Sequence, residues 1–204
     1  TLTNDGLVGF RRIGGSGGGA VVPNLAESIP TPGAGGLTYE FTLRDGLRYS
    51  DGTPVRASDF RHSIERSFDG VPEESAVGTF LYQRIVGADA CVESIGTRFD
   101  CDLSEGIRTD DAAGSITFTL SEPDPEFLYK LALPAAFAVP SDLPFGELTE
   151  PIPATGPYMV AEHGDADALL GEPAALRLAV HRAARDRRVD AEHRIELASV
   201  QRER

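Results

Sequence analysis

Apolar side chains recur at every second position in three stretches of the chain. Tyr39, Phe41 and Leu43 are separated by the polar Glu40 and Thr42, and Ile116, Phe118 and Leu120 repeat the pattern. That period puts successive side chains on opposite faces, so each stretch predicts a half-buried β-strand. Leu176, Leu178 and Val180 alternate in the same way, and Ile195 and Leu197 make a shorter echo. Phe60, Ile64 and Phe68 instead fall four apart, which marks one face of an α-helix, with Ser58 and Asp59 as polar groups near its start. A second helix is predicted after Asp124-Pro125, read as an Asp cap before a first-turn Pro, with Phe127, Leu128 and Leu131 as its apolar face.

Turn residues separate these elements. Gly14-Gly15-Ser16-Gly17-Gly18-Gly19 follows an apolar stretch at residues 7–10 and runs into Ala20-Val21-Val22. A phosphate loop would end in Gly-Lys-Ser or Gly-Lys-Thr, so the run predicts a hairpin tip. Residues 30–36, Ser50-Asp51-Gly52-Thr53-Pro54 and Thr155-Gly156-Pro157 supply further turns, the last leading into Met159-Val160. Residues 181–188 are charged and could be helical, and no repeat of 20–50 residues is visible.

Composition narrows the classes. The 204 residues are 41% hydrophobic and 25% charged, values that suit a globular fold and exclude wholesale disorder. Nineteen basic against thirty-two acidic residues give a net charge of −13, the wrong sign for binding nucleic acid or an anionic membrane surface. Eight of the basic residues lie beyond Ala175, so a basic tail follows an acidic body. Lys130 is the one lysine, which reads as GC-rich coding bias. No apolar stretch approaches the span of a bilayer. The chain starts at Thr1 without a leader-like segment, so a targeting segment or membrane anchor is expected outside it, in a longer polypeptide.

Candidate chemistry is sparse. Cys91 and Cys101 do not fit a zinc spacing; they read as a local disulfide of an oxidising compartment, the alternative being two unrelated thiols. His62, His163, His181 and His193 form no metal-binding pair, and His62, next to Arg61 in the first helix, is expected at the surface. The acidic pairs Glu73-Glu74 and Asp110-Asp111 read as solvated turns, and Asp165 and Asp167 supply too few oxygens for a calcium loop. No nucleophile elbow or reactive cysteine is present, so no catalytic residue, metal or cofactor is expected, and an enzyme is disfavoured.

Several segments in order carry more information than any one of them. Asn24-Leu25-Ala26-Glu27-Ser28 precedes Tyr39, Phe41, Leu43 and Ser50-Asp51-Gly52-Thr53-Pro54. Ala57-Ser58-Asp59-Phe60 and Ser63-Ile64-Glu65-Arg66 follow, then residues 116–125 ending in Pro123-Asp124-Pro125, and Ala154-Thr155-Gly156-Pro157-Tyr158. This series resembles the family 5 extracellular solute-binding proteins of ABC importers, which include oligopeptide-, dipeptide- and nickel-binding proteins. The resemblance implies an α+β fold: a type II periplasmic-binding-protein-like lobe with the extra domain of the peptide-binding family, the second lobe being absent. It divides the chain into residues 1–37 and 154–204, parts of a mixed first-lobe sheet, and an inserted domain at residues 38–153.

The resemblance also implies a role. The chain would belong to a solute-binding component that closes on a peptide or other small molecule and delivers it to an ABC permease, outside the cell or in its envelope. A sensory module fused to a regulatory or membrane protein is the alternative. In peptide-binding relatives a Tyr after the first helix faces the ligand; aligning Ser75-Ala76-Val77 on its context puts Val77 there, without a hydroxyl. Phe80 and Tyr82 keep the segment aromatic and either meet the ligand or pack under the loop. Thr155, Gly156 and Tyr158 are expected to border the same cleft, near the hinge.

Overall fold

The computed structural model describes residues 3–69, 76–93, 101–146, 148, 150–162 and 177–180. Ser75, Glu73, Glu74, His163, Asp165, Asp167, His181, His193, Ile195, Leu197 and most of the basic tail lie outside these residues.

Strands β1 (Val8–Phe10) and β2 (Val21–Pro23) form an antiparallel hairpin, Gly9 facing Val22. The glycine run is its tip, as the sequence predicts, and contains a short 3-10 turn at Ser16–Gly19. A Cβ on Gly18 would stand 2.5 Å from the Ile13 carbonyl oxygen, so the tip closes only with a glycine there. The first two alternating stretches are strands of one antiparallel sheet. Its order is β3 (Thr38–Thr42), β5 (Ser115–Thr119), β4 (Ile107–Asp110). Tyr39 pairs with Phe118 and Phe41 with Ile116.

Helix α1 (Ala57–Arg66) covers this sheet. Phe60, Ile64 and the following Phe68 are all buried, as their spacing requires. Asp59 sits in the first turn and its carboxylate accepts the Arg56 backbone N–H at 2.8 Å, closing the helix start. Ser58 faces outward and donates to Asp111 at 2.9 Å, so one member of the Asp110-Asp111 pair holds a helix as well as meeting solvent. His62 departs from expectation. It is buried, with its ring 4.8 Å from that of Phe145, because the chain at residues 140–146 folds back over α1.

The short helices α2 (Val77–Leu81) and α3 (Ala88–Glu93) follow, and α3 carries Cys91. Cys91 and Cys101 are joined in a disulfide. Helix α4 (Phe127–Leu131) starts two residues later than Asp124-Pro125 suggests. Asp124 is not its cap: it is buried upstream, accepting the Glu126 N–H at 3.0 Å and the Lys130 ammonium at 2.5 Å. An Asx turn there competes with the cap geometry and wins because Lys130 reaches back to it.

Strand β6 (Tyr158–Glu162) pairs antiparallel with β7 (Arg177–Val180), with a bulge between Val160 and Glu162. The expected mixed sheet is therefore not what the described residues show. The regions of Leu7 and Met159 lie in separate two-stranded antiparallel pairs, while Leu25 joins the core from a loop.

One apolar cluster unites the body. Leu7, Val8 and Leu25 belong to it together with Tyr39, Phe41, Phe60, Phe118 and Phe127. Phe118 meets Phe41 and Phe127 edge-on at 5.9 and 5.4 Å. Each such ring contributes about 1.5–3 kcal/mol by burial, plus the pair term.

Candidate functional site

Residues remote in sequence are stitched together where the N-terminal segment meets the end of the body. The Asp5 N–H donates to Thr155 Oγ1 at 2.8 Å, and the Asp5 carbonyl accepts the Ala138 N–H at 3.1 Å. The Asn4 amide donates to the carbonyls of Ala138 and Pro153 at 3.3 and 3.2 Å. The Gly156 N–H donates to the Thr3 carbonyl at 2.6 Å. Gly6 lies so close to the Phe137 ring that a Cβ would come within 2.8 Å of it.

This stitching leaves a cleft of about 650 Å³. One wall is the hairpin, through Gly9, Phe10, Val22 and Pro23; the other is the chain after α4, through Leu133, Pro134 and Phe137. Thr155, Gly156 and Pro157 close one end. The charged lining residues are Asp5, Arg11 and Arg12, and Arg12 is paired with the buried Asp5 carboxylate at 3.3 Å. A cleft of this size, mostly apolar with a few convergent polar groups, suits a small ligand.

The structure brings only part of the expected site together. Thr155 and Gly156 line the cleft; Tyr158 begins β6 and is half-buried beyond it. Val77 and Phe80 lie on α2, 43% and 77% exposed, and do not line it. Tyr82 is committed to the core, its hydroxyl donating to the Lys130 carbonyl at 2.9 Å, and burial pushes its pKa up. Sequence reasoning missed Asp5, Phe10, Arg11, Arg12 and Phe137. The signal for some of them was Arg11-Arg12, adjacent cations after an apolar stretch in a chain of net charge −13.

Ser50-Asp51-Gly52-Thr53-Pro54 supports the cleft from behind. Gly52 takes a φ of +91°, as its turn position suggested. The Ser50 N–H donates to the Ala154 carbonyl at 2.8 Å, and the Ala154 N–H returns to Ser50 Oγ at 3.0 Å. The corner therefore anchors the residue next to Thr155 without touching the cleft. Among the described residues, no group of three His, Cys, Asp or Glu is arranged to hold a metal ion, and no helix is long and apolar enough to cross a membrane.

The body is therefore α+β, with an apolar cleft where residues 5–12 and 22–24 meet residues 132–137 and 155–157. Residues 20–172 match the family described as bacterial extracellular solute-binding proteins, family 5. The chain belongs to that family. It is 35% identical over 122 residues to the periplasmic oligopeptide-binding protein OppA of Escherichia coli, covering 60% of this chain and 21% of that protein. It is 32% identical over 133 residues to the probable deoxycholate-binding periplasmic protein YgiS of Escherichia coli, covering 64% and 21%. The solved structure of the Escherichia coli murein tripeptide binding protein MppA superposes with a TM-score of 0.62 at 27% identity, over 79% of this chain and 30% of that one. The chain thus spans between a fifth and a third of the length of these relatives.

Proposed function

We propose that this chain supplies the first-lobe portion of the solute-binding component of an ABC importer. The observation that carries this reading is the cleft between β1–β2 and the chain after α4, in a member of a family of extracellular solute-binding proteins. The relatives' names, which include oligopeptide, tripeptide and deoxycholate binding, support a small-molecule or peptide cargo and a non-catalytic role. They give no support to the sensory fusion. The permease partner and an envelope anchor belong to the full-length protein. So does the hinge-closing second lobe, which would cover the open side of the cleft.

Within this reading, Thr155 and Gly156 frame the ligand and Tyr158 flanks the hinge. Val77 and Phe80 offer exposed apolar area to a ligand or to the second lobe. Residues 1–37 and 154–204 form the sheet domain and residues 38–153 the insertion. The hydrogen bonds between residues 3–5 and 153–156 support that pairing of the ends, although one apolar cluster runs across both parts.

A single lobe leaves one ligand face wet, so binding is expected to be weak, in the millimolar range. The test is amide NMR of the 204-residue chain titrated with short apolar peptides. Shifts at Gly9, Phe10, Asn24, Leu133 and Gly156 are expected. A ligand that moves other signals and leaves these in place would remove the cleft as the site. Submicromolar affinity by calorimetry would remove the half-clamp reading.

A further inference from the structure

We propose that residues 140–146 form a strap latched over α1 by the neutral side chain of His62, and that protonation of His62 releases it. The strap does not line the cleft, so the inference stands apart from the reading of the cleft.

The strap is held by a short set of contacts with α1. The Ser141 N–H donates to the Asp59 carboxylate at 2.9 Å, and the Ser58 and Ser141 hydroxyls meet at 3.2 Å. Farther along, the Arg66 guanidinium donates to the carbonyls of Pro144 and Gly146. Between these anchors in sequence, the Leu143 backbone hydrogen-bonds the His62 imidazole and the Phe145 ring lies 4.8 Å from it. Asp142 and residues 144–146 are exposed, so little apolar burial adds to these contacts. A segment with few buried contacts opens at a fraction of the cost of global unfolding.

His62 is 7% exposed, and its Nε2 is buried without a hydrogen-bond partner among the described residues. With the proton on the other ring nitrogen, Nε2 is an unused lone pair. Protonation turns it into a charged N–H donor with nothing to bond, near the Arg66 cation. Asp59 and Asp142 pull the other way. Asp59, however, already accepts from Tyr49, Arg56 and Ser141, and Asp142 is exposed to solvent. Arg61, Glu65 and Asp102 border the same pocket as His62, where Glu65 is committed to Arg61 and the Leu103 N–H. Burial and then Arg66 outweigh the acids, so the closed strap holds the His62 pKa below its usual 6.5. The closed state is fully favoured above pH 6.5 and is lost as pH falls through the lowered value, because an open strap lets water reach the imidazolium.

The experiment follows the 204-residue chain by NMR from about pH 7 to about pH 5. Amide hydrogen exchange at Ser141 and Leu143 is expressed as protection relative to an unstructured chain at the same pH. That protection is expected to fall about three- to tenfold over the range, the linkage of one group whose pKa rises on opening. At every pH it should stay far below the protection of the Phe118 amide in the central strand β5. The His62 imidazole should titrate below 6.5, with the same midpoint as the strap amides. His62→Gln, neutral at every pH, should leave strap protection level across the range. A fall of less than about twofold in the wild type, or a fall that survives His62→Gln, would overturn the inference. So would strap protection equal to that of Phe118, which would mean opening only by global unfolding. If His62→Gln does not fold, the midpoints decide: separate ones for imidazole and strap overturn the inference, and a shared one below 6.5 supports it.

Discussion

Helix α1 and the cleft hold their carboxylates differently, although His62 Nε2 on α1 is buried without a hydrogen-bond partner among the described residues. Around α1 each buried carboxylate is matched to fixed donors. Asp59 accepts from Tyr49 at 2.9 Å, from Arg56 at 2.8 Å and from Ser141 at 2.9 Å, and Glu65 accepts the Leu103 N–H at 3.0 Å. At the cleft the Asp5 carboxylate is matched by Arg12, but Phe10 is 40% exposed and the Arg11 guanidinium has no ion pair among the described residues. Satisfied polar groups rigidify a body, whereas open ones leave interaction capacity for something outside it. The difference separates residues fixed inside the fold from residues left open at its surface. Substitutions should therefore divide sharply between the two regions.

The largest effect is expected in the aromatic core. Phe118→Ala removes the ring that meets both Phe41 and Phe127 and should cost about 3–5 kcal/mol in urea unfolding. A loss below about 1 kcal/mol would mean that the sheet and α4 do not share a packed core. Next comes Asp59→Ala, which strands the buried Tyr49 hydroxyl and opens the start of α1, for about 3 kcal/mol by the same measurement. Asp59→Asn, which keeps an acceptor, should cost clearly less.

Reducing the Cys91–Cys101 disulfide should cost about 2–3 kcal/mol by the chain-entropy argument for its short loop. Mass spectrometry finding two free thiols in protein prepared without reductant would count against the bond. Cys91→Ser with Cys101→Ser should reproduce the loss and make stability indifferent to reductant.

The fourth effect is a slope. Burial and the neighbouring Arg66 hold the His62 pKa below its usual 6.5, against the opposing pull of the Leu143 backbone, Asp59 and Asp142. The fold prefers neutral His62, so its contribution is complete above pH 6.5 and is lost as pH falls through the lowered folded value. Glu65, pushed up by burial, works in the other direction. The comparison that isolates His62 is therefore wild type against His62→Phe, whose stability should decline less between pH 7 and pH 5. Parallel curves would show that His62 does not titrate differently in the fold. The smallest effect belongs to the cleft: Arg11→Gln should change stability by less than about 0.5 kcal/mol, and a larger loss would make Arg11 part of the scaffold.

Periodicity alone was enough for the elements whose burial is one-sided. Tyr39, Phe41, Ile116 and Phe118 alternate because the sheet has one face on the core, and Phe60, Ile64 and Phe68 repeat because α1 does. Gly52 and the glycine tip were legible because turn geometry is written in single residues. The order of these local signals was also enough to name the family. Tertiary structure decided the rest. His62 looked like a surface residue because nothing local reveals that residues 140–146 return over α1. Asp124 looked like a helix cap because the reach of Lys130 is invisible in a linear motif. Arg11 and Arg12 gained significance only when Asp5 and Thr155, 150 residues apart, were hydrogen-bonded into one cleft. Local sequence encodes propensity and pattern, which act over one turn or one strand. A site assembled from distant segments depends on which surfaces the core brings together, and that is set by packing over the whole chain.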